Sequence, residues 1–194
     1  MSGALAPERE WGSSTDLTDE EKANLAAFVS IAECWNAHDL PRILEHYNDD
    51  VVWRNVPTGE VYEGKAEVGA FLESLFNALD DLELEVTLRV PRGKYVAEEY
   101  HIRGLHTGEL LGIPATYREV DIPCISFVEM RDGKWKEDRF YYDVSTVLRQ
   151  MGLFPPLEMA RKPVGHFGMW ALVGLTRAAR RVRHPLRRRP GRGT

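Results

Sequence analysis

The chain has 194 residues, 43% hydrophobic and 28% charged, a balance that fits one globular domain with tails and excludes a disordered or fibrous protein. Its two cysteines, Cys34 and Cys124, lack the paired spacing of zinc or thioredoxin-like sites and read as buried thiols in a reducing cytoplasm. The formal charge of −5 hides a division: residues 1–160 hold all 30 acids and 15 of the bases, whereas residues 161–194 hold the other ten bases and no acid, so the body repels nucleic acid and the tail attracts polyanions.

Residues 1–18 are polar and form a flexible N-terminal segment in this reading. "MSGALAPEREWGSSTDLTDEEK" has no basic region followed by an apolar run, so no secretory signal is expected. Thr18 to Glu21, "TDEE", has the form of a capping box and starts a helix that runs to about His38. Leu25, Phe28, Val29, Ala32, Trp35 and Asn36 then make one buried stripe at helical spacing. Pro41 suits the start of a short second helix over "RILEHY". "DDVVWRNVP" reads as a strand, and "YEGKAEVGAFLESLFNAL" as a turn and a third helix with Val68, Phe71, Leu72 and Leu75 on one side.

The period then changes from 3.6 to 2. "LELEVTLRV" alternates strictly, and "GKYVAEEYHIRGLHTG", "YREVDIPCISFVEM" and "KWKEDRFYYD" complete a set of strands. Asp132-Gly133 marks a tight hairpin, because a type I′ turn needs positive φ at both central residues. Helices first and an antiparallel meander afterwards predict an α+β fold. Counting back from that turn pairs Met130 with Trp135, Val128 with Glu137, Ser126 with Arg139, Cys124 with Tyr141 and Ile122 with Asp143. Strict alternation then places Trp135, Glu137, Arg139, Tyr141 and Asp143 on one face, and Ile125, Phe127, Phe140 and Tyr142 on the other. A sheet with two apolar faces needs two partners, its own helices and another subunit, so a homodimer through the sheet is expected.

Candidate chemistry collects on that pattern. Asp143 stands where the last strand hands over to the helix "VSTVLRQMG". It reads either as that helix's N-cap or as a desolvated acid among Trp135 and Tyr141 whose raised pKa suits proton transfer, with Arg139 pushing the other way. His106 shares a face with Tyr100 and is a ligand contact or a structural histidine; His101 alternates to the other face. Trp53 and Asn55 share one face of the first strand, as cavity walls or as core and turn residues. Glu98, Glu99 and Glu129 read as solvated strand positions. The six histidines show no metal-ligand spacing and no Gly-rich phosphate loop appears, so neither metal nor nucleotide cofactor is expected.

Together "WNAHDLPRI", "GLHTGELLGIPAT", "RDGKW" and "YYDVSTVLRQMG" resemble the SnoaL-like polyketide cyclases of the nuclear transport factor 2-like superfamily over about residues 19–155. Gly104 to Gly108 and Gly112 to Thr116 carry the resemblance most specifically; Tyr117 departs from it, since a glycine usually follows that threonine. The resemblance implies a cone: a curved antiparallel sheet wrapped around about three N-terminal helices, enclosing a hydrophobic cavity. It implies an Asp near the end of the last strand, matching Asp143, as general acid/base in a cofactor-free cyclisation or isomerisation of a hydrophobic carbonyl compound. Candidate substrate-binding residues are then Trp35, Trp53, Asn55, Tyr100, His106, Arg139 and Tyr141. Limonene-epoxide hydrolases resemble Arg139, Tyr141 and Asp143 but need a second aspartate absent from "EEYHIRG"; ketosteroid isomerases need a base that "WRNVP" does not supply. A non-catalytic ligand-binding or protein-interaction domain on the same fold is the alternative.

Residues 156–194 are a separate tail. "VGHFGMWALVGL", residues 164–175, is apolar but too short to span a bilayer, and an Arg-rich run follows. Such a segment suits an anionic membrane surface, which would make the protein peripheral to a membrane, or else a disordered basic extension, or a helix packed on the domain or on its dimer mate.

Overall fold

Thr18 accepts the backbone N–H of Glu21 while the Glu21 carboxylate takes the Thr18 N–H at 2.9 Å, and this capping box starts α1 (Asp19–Asn36). The computed structural model describes residues 9–10 and 17–154. Asp39 caps α2 (Leu40–Glu45), with Pro41 in its first turn. β2 (Tyr47–Asn55) and a short β3 (Glu60–Glu63) precede α3 (Gly64–Ala78). The meander follows as β4 (Leu79–Arg92), β5 (Tyr95–His106), β6 (Glu119–Arg131) and β7 (Lys134–Tyr142), then α4 (Val144–Gln150). Arg9–Glu10 form a two-residue strand, β1, parallel to β4, so the segment expected to be loose adds an edge to the sheet. The tail readings, and with them the membrane reading, fall on residues outside those described. Among the described residues no helix is long and apolar enough to cross a membrane.

The strands form one curved sheet in the order β1-β4-β5-β6-β7-β2-β3. The meander β4 to β7 is antiparallel, as expected, but β2 runs parallel to β7. The helices fill its concave side, and the core is dense in aromatic rings: Phe28 lies 4.2 Å from Trp135, and Trp53 stacks between Trp35 and Phe140 at 6.4 and 6.0 Å. Such pairs each contribute roughly 0.5–1.5 kcal/mol beyond their burial. Two polar clamps hold α1 against the sheet. Asn36 exchanges two hydrogen bonds with the Leu84 backbone. At the other end, Glu21 accepts the Gly93 N–H and Asn24 donates to the Gly93 carbonyl. These clamps turn the helix: Glu21, Asn24, Phe28, Ile31 and Trp35 face inward, while Val29, expected inside, is exposed.

The hairpin turn is as expected, with Asp132 and Gly133 both at positive φ, but the register beyond it is not. Met130 pairs with Trp135, and Glu129 then pairs with Glu137, so Lys136 is an extra residue that bulges out of β7 and reaches back to the Asp50 carbonyl at 2.6 Å. A bulge of one residue exchanges the two faces of everything that follows. Asp138, Phe140 and Tyr142 therefore face the interior, and Glu137, Arg139 and Tyr141 lie outside. Glu98, expected in solvent, is inward beside Tyr100 and only 8% exposed. The outer face still carries exposed Ile125, Phe127 and Tyr141.

Candidate active site

Two small cavities lie along the concave face, with Phe140 between them. The inner one, about 30 Å³, is lined among others by Trp35, Trp53, Tyr100, Ser126 and Asp138. The other, about 40 Å³, is an apolar cleft toward α4, formed by Phe71, Leu75, Ile102, Ile122, Phe140 and Val147 with Asn55 and Tyr142 at its polar edge and Leu110 and Leu111 over it. Phe140 lines the cleft and stacks on Trp53 and Tyr100 of the inner cavity.

Asp138 is the inner cavity's acid. The bulge turns it inward, opposite Val128 on β6 and Trp53 on β2, and only 2% of it is exposed. Burial, aided by the nearby negative charge of Glu98 and opposed by the Ser126 hydroxyl, pushes its carboxyl up to about 8, so at neutral pH it holds its proton. Its Oδ1 and the indole Nε1 of Trp53 are buried without a hydrogen-bond partner among the described residues. Tyr100 Oη lies 3.1 Å from Ser126 Oγ, and burial keeps the Tyr47 and Tyr100 phenols protonated far above their ordinary range. Glu98 is held by Arg89 at 2.7 Å, both side chains being buried.

Asp143 sits elsewhere. It caps α4, accepting the Ser145 N–H at 2.9 Å and the hydroxyls of Ser145 and Thr146 at 2.7 and 2.6 Å; its side chain is 55% exposed and has Arg149 at 3.5 Å. The Thr146 and Ser145 hydrogen bonds hold its carboxyl well below the usual carboxylate range. It does not share a face with Trp135, and the expected face partners go outward: Arg139 donates to Glu137 at 3.1 Å, and Tyr141 is exposed. Trp35, Trp53 and Tyr100 meet in the inner cavity, while Asn55 faces the cleft and donates toward Tyr142 Oη at 3.4 Å. His106 is wholly buried. Its Nδ1 accepts the Thr116 N–H at 3.3 Å and lies 2.9 Å from Thr116 Oγ1, and it lines neither cavity. Burial holds its pKa below the ordinary histidine value.

The glycine-rich run has a packing explanation. A Cβ on Gly108 would meet the Asn77 carbonyl oxygen at 2.3 Å, so the loop after β5 can lie against the end of α3 only with glycine there. Tyr117 adopts a left-handed conformation, φ 54°, which explains why glycine is the ordinary residue at that place. Tyr117 is 74% exposed and lines neither cavity. No group of three His, Cys, Asp or Glu able to hold a metal occurs among the described residues.

Sequence reasoning missed Asp138, Glu98 and Ser126. The available signal was a break in period: inward Trp135 and Phe140 are five residues apart, an odd interval that strict alternation cannot accommodate.

Residues 27–151 match the family described as SnoaL-like polyketide cyclase. Among solved structures, the chain is similar to a candidate SnoaL-like polyketide cyclase from a Jannaschia species, with 23% identity, TM-score 0.66, and coverage of 73% of this chain and 99% of that one. A candidate hydroxylase, AclR, from Streptomyces galilaeus gives 24% identity and TM-score 0.62, covering 70% and 89%. A protein with a ketosteroid isomerase-like fold from Catenulispora acidiphila, in complex with trimethylamine, gives 17% and 0.57, covering 67% and 97%. No curated protein matches.

Proposed function

The chain belongs to the SnoaL-like polyketide cyclase family, and on that premise we propose that it binds a small hydrophobic carbonyl compound inside the cone and transfers protons with Asp138. The observation that carries this reading is a buried carboxyl with an unpartnered oxygen, set among aromatic rings next to an apolar cleft. A carboxylic acid that stays neutral at pH 7 can donate to a carbonyl oxygen as negative charge develops there, and its conjugate base can take a proton from the adjacent carbon. Such chemistry needs no cofactor. Aldol-type cyclisation and isomerisation both consist of these steps.

The test is solvent deuterium exchange at the carbon beside the carbonyl of cyclohexanone, measured by proton NMR. Wild type and Asp143→Asn should exchange above background, and Asp138→Asn should lose about 10²-fold or more, the usual contribution of a positioned acid or base. Loss in Asp143→Asn with Asp138→Asn unaffected would return the role to the helix cap. A non-catalytic binding domain is favoured by one observation, the small size of both cavities; it predicts ligand binding without exchange in any variant. The exposed Ile125, Phe127 and Tyr141 suit a second copy of the chain on the outer face, and a monomeric sedimentation profile would count against that. Peripheral membrane association through residues 161–194 predicts that their deletion abolishes co-sedimentation with anionic liposomes.

A further inference from the structure

Asn55 closes β2, where it pairs with Glu60 on β3 and with Phe140 on β7. It is 3% exposed and lines the apolar cleft. Its amide nitrogen donates to Glu60 Oε2 at 3.3 Å and to Tyr142 Oη at 3.4 Å, and Glu60 is held in turn by the Thr58 hydroxyl at 2.8 Å. A carboxylate only accepts, so the nitrogen lies on that side and the oxygen is the atom left over. That oxygen, Oδ1, is buried with no partner among the described residues, a costly state for an acceptor. Apart from Tyr142, the other side chains that line the cleft are apolar.

A second feature stands over the same cleft. Leu110 and Ile113 exchange backbone hydrogen bonds at 3.0 and 2.9 Å, closing a two-residue turn whose central residues, Leu111 and Gly112, have φ of 55° and 72°. Positive φ at both positions suits Asn or Gly; a leucine is strained there. Leu111 lines the cleft and is still 37% exposed, so burial within the chain does not fully offset that strain. Backbone strain of this kind collects at ligand clamps.

We propose that the cleft binds a short aliphatic alcohol, whose hydroxyl donates to Asn55 Oδ1 and whose alkyl chain lies under Leu111. The unpartnered atom is an acceptor, so the ligand must bring a donor, and a hydroxyl brings one only. An ammonium group would leave further donors facing apolar side chains, and an anion is disfavoured by the Glu60 carboxylate bonded to the same amide. A volume of about 40 Å³ holds about three water-sized groups, which is the size of ethanol and excludes a ring. The site is separate from Asp138, which lines the other cavity, and does not depend on proton transfer there.

The experiment titrates the full chain with ethanol and, separately, with its isomer dimethyl ether, which accepts but does not donate, and follows the side-chain amide ¹H–¹⁵N resonances of Asn55. These are assigned by their absence in Asn55→Ala or, where that variant does not fold, by contacts to the Tyr142 and Phe140 rings in wild type. Ethanol should shift them saturably and bind about tenfold more tightly than the ether, the usual worth of one hydrogen bond. Leu111→Gly, which suits the positive φ, should keep the fold and weaken both ligands about threefold through the lost apolar contact. Asp138→Asn should leave the ethanol shift in place, so failure of the proton-transfer reading does not touch this one. Equal binding of the two isomers, or no ethanol shift at Asn55, overturns the hydroxyl site; a water that ethanol does not displace gives the second result. Ethanol binding unchanged in Leu111→Gly overturns the part given to Leu111.

Discussion

Asp138→Asn exchanges a carboxyl for an amide of the same shape, so it isolates the cost of burying an ionisable group. In the folded chain Asp138 holds its proton up to about 8, against 3.8 for an ordinary aspartate. Between those values the folded state binds a proton that the unfolded state has lost, so this group's contribution to stability falls as pH rises. At 1.36 kcal/mol per pH unit, wild type should lose up to about 1.4 kcal/mol for each unit, and about 4 kcal/mol by pH 7, relative to the Asn variant. Urea unfolding of both proteins between about pH 5 and about pH 7.5 measures the difference directly. His46 and His106, whose pKa values burial lowers, contribute with the opposite sign in both proteins and cancel. A difference independent of pH, or one that shrinks as pH rises, would refute the placement of Asp138 in a desolvated interior.

Asp143→Ala removes the cap of α4 and should lower the melting temperature by a few degrees at most, while leaving ketone binding and exchange unchanged. Phe140→Ala joins the two cavities, costs about 3–5 kcal/mol, and should admit larger ketones; competition against cyclohexanone reads the change. Arg89→Met removes an ion pair of the buried Glu98 beside Asp138 and should cost up to about 3–5 kcal/mol; chemical denaturation at neutral pH measures it.

Local signals made the elements legible. The Thr18–Glu21 capping box and the Asp132-Gly133 turn each depend on a few adjacent residues and stand in the structure where the sequence reading placed them, while the second helix, read over "RILEHY" with Pro41 near its start, begins two residues earlier at Leu40 and ends at Glu45. The inward face of α1 was less legible because it is set at long range: Glu21 and Asn24 are polar, yet they point in to meet the Gly93 backbone, and Val29 is turned out in exchange. β3 was hidden because its four residues gain their strand character from pairing with β2.

The faces of β7 beyond the turn were read one residue out of register, and the reason is geometric. Alternation has no memory of where it began, so a single unpaired residue transfers every later side chain to the opposite face. Lys136 is that residue, and its reach to Asp50, on the neighbouring β2, provides a reason for it to leave the ladder. Without the bulge, Glu137 and Arg139 would enter the core and Phe140 and Tyr142 would leave it. With it, one more residue crosses to the inside that no hydrophobic pattern would send there: Asp138. A fold that builds a bulge to turn two rings inward could have placed an apolar residue between them and the turn. It carries instead an acid paired in register with Trp53, whose indole N–H has no partner among the described residues, and the pH dependence of unfolding measures what that burial costs.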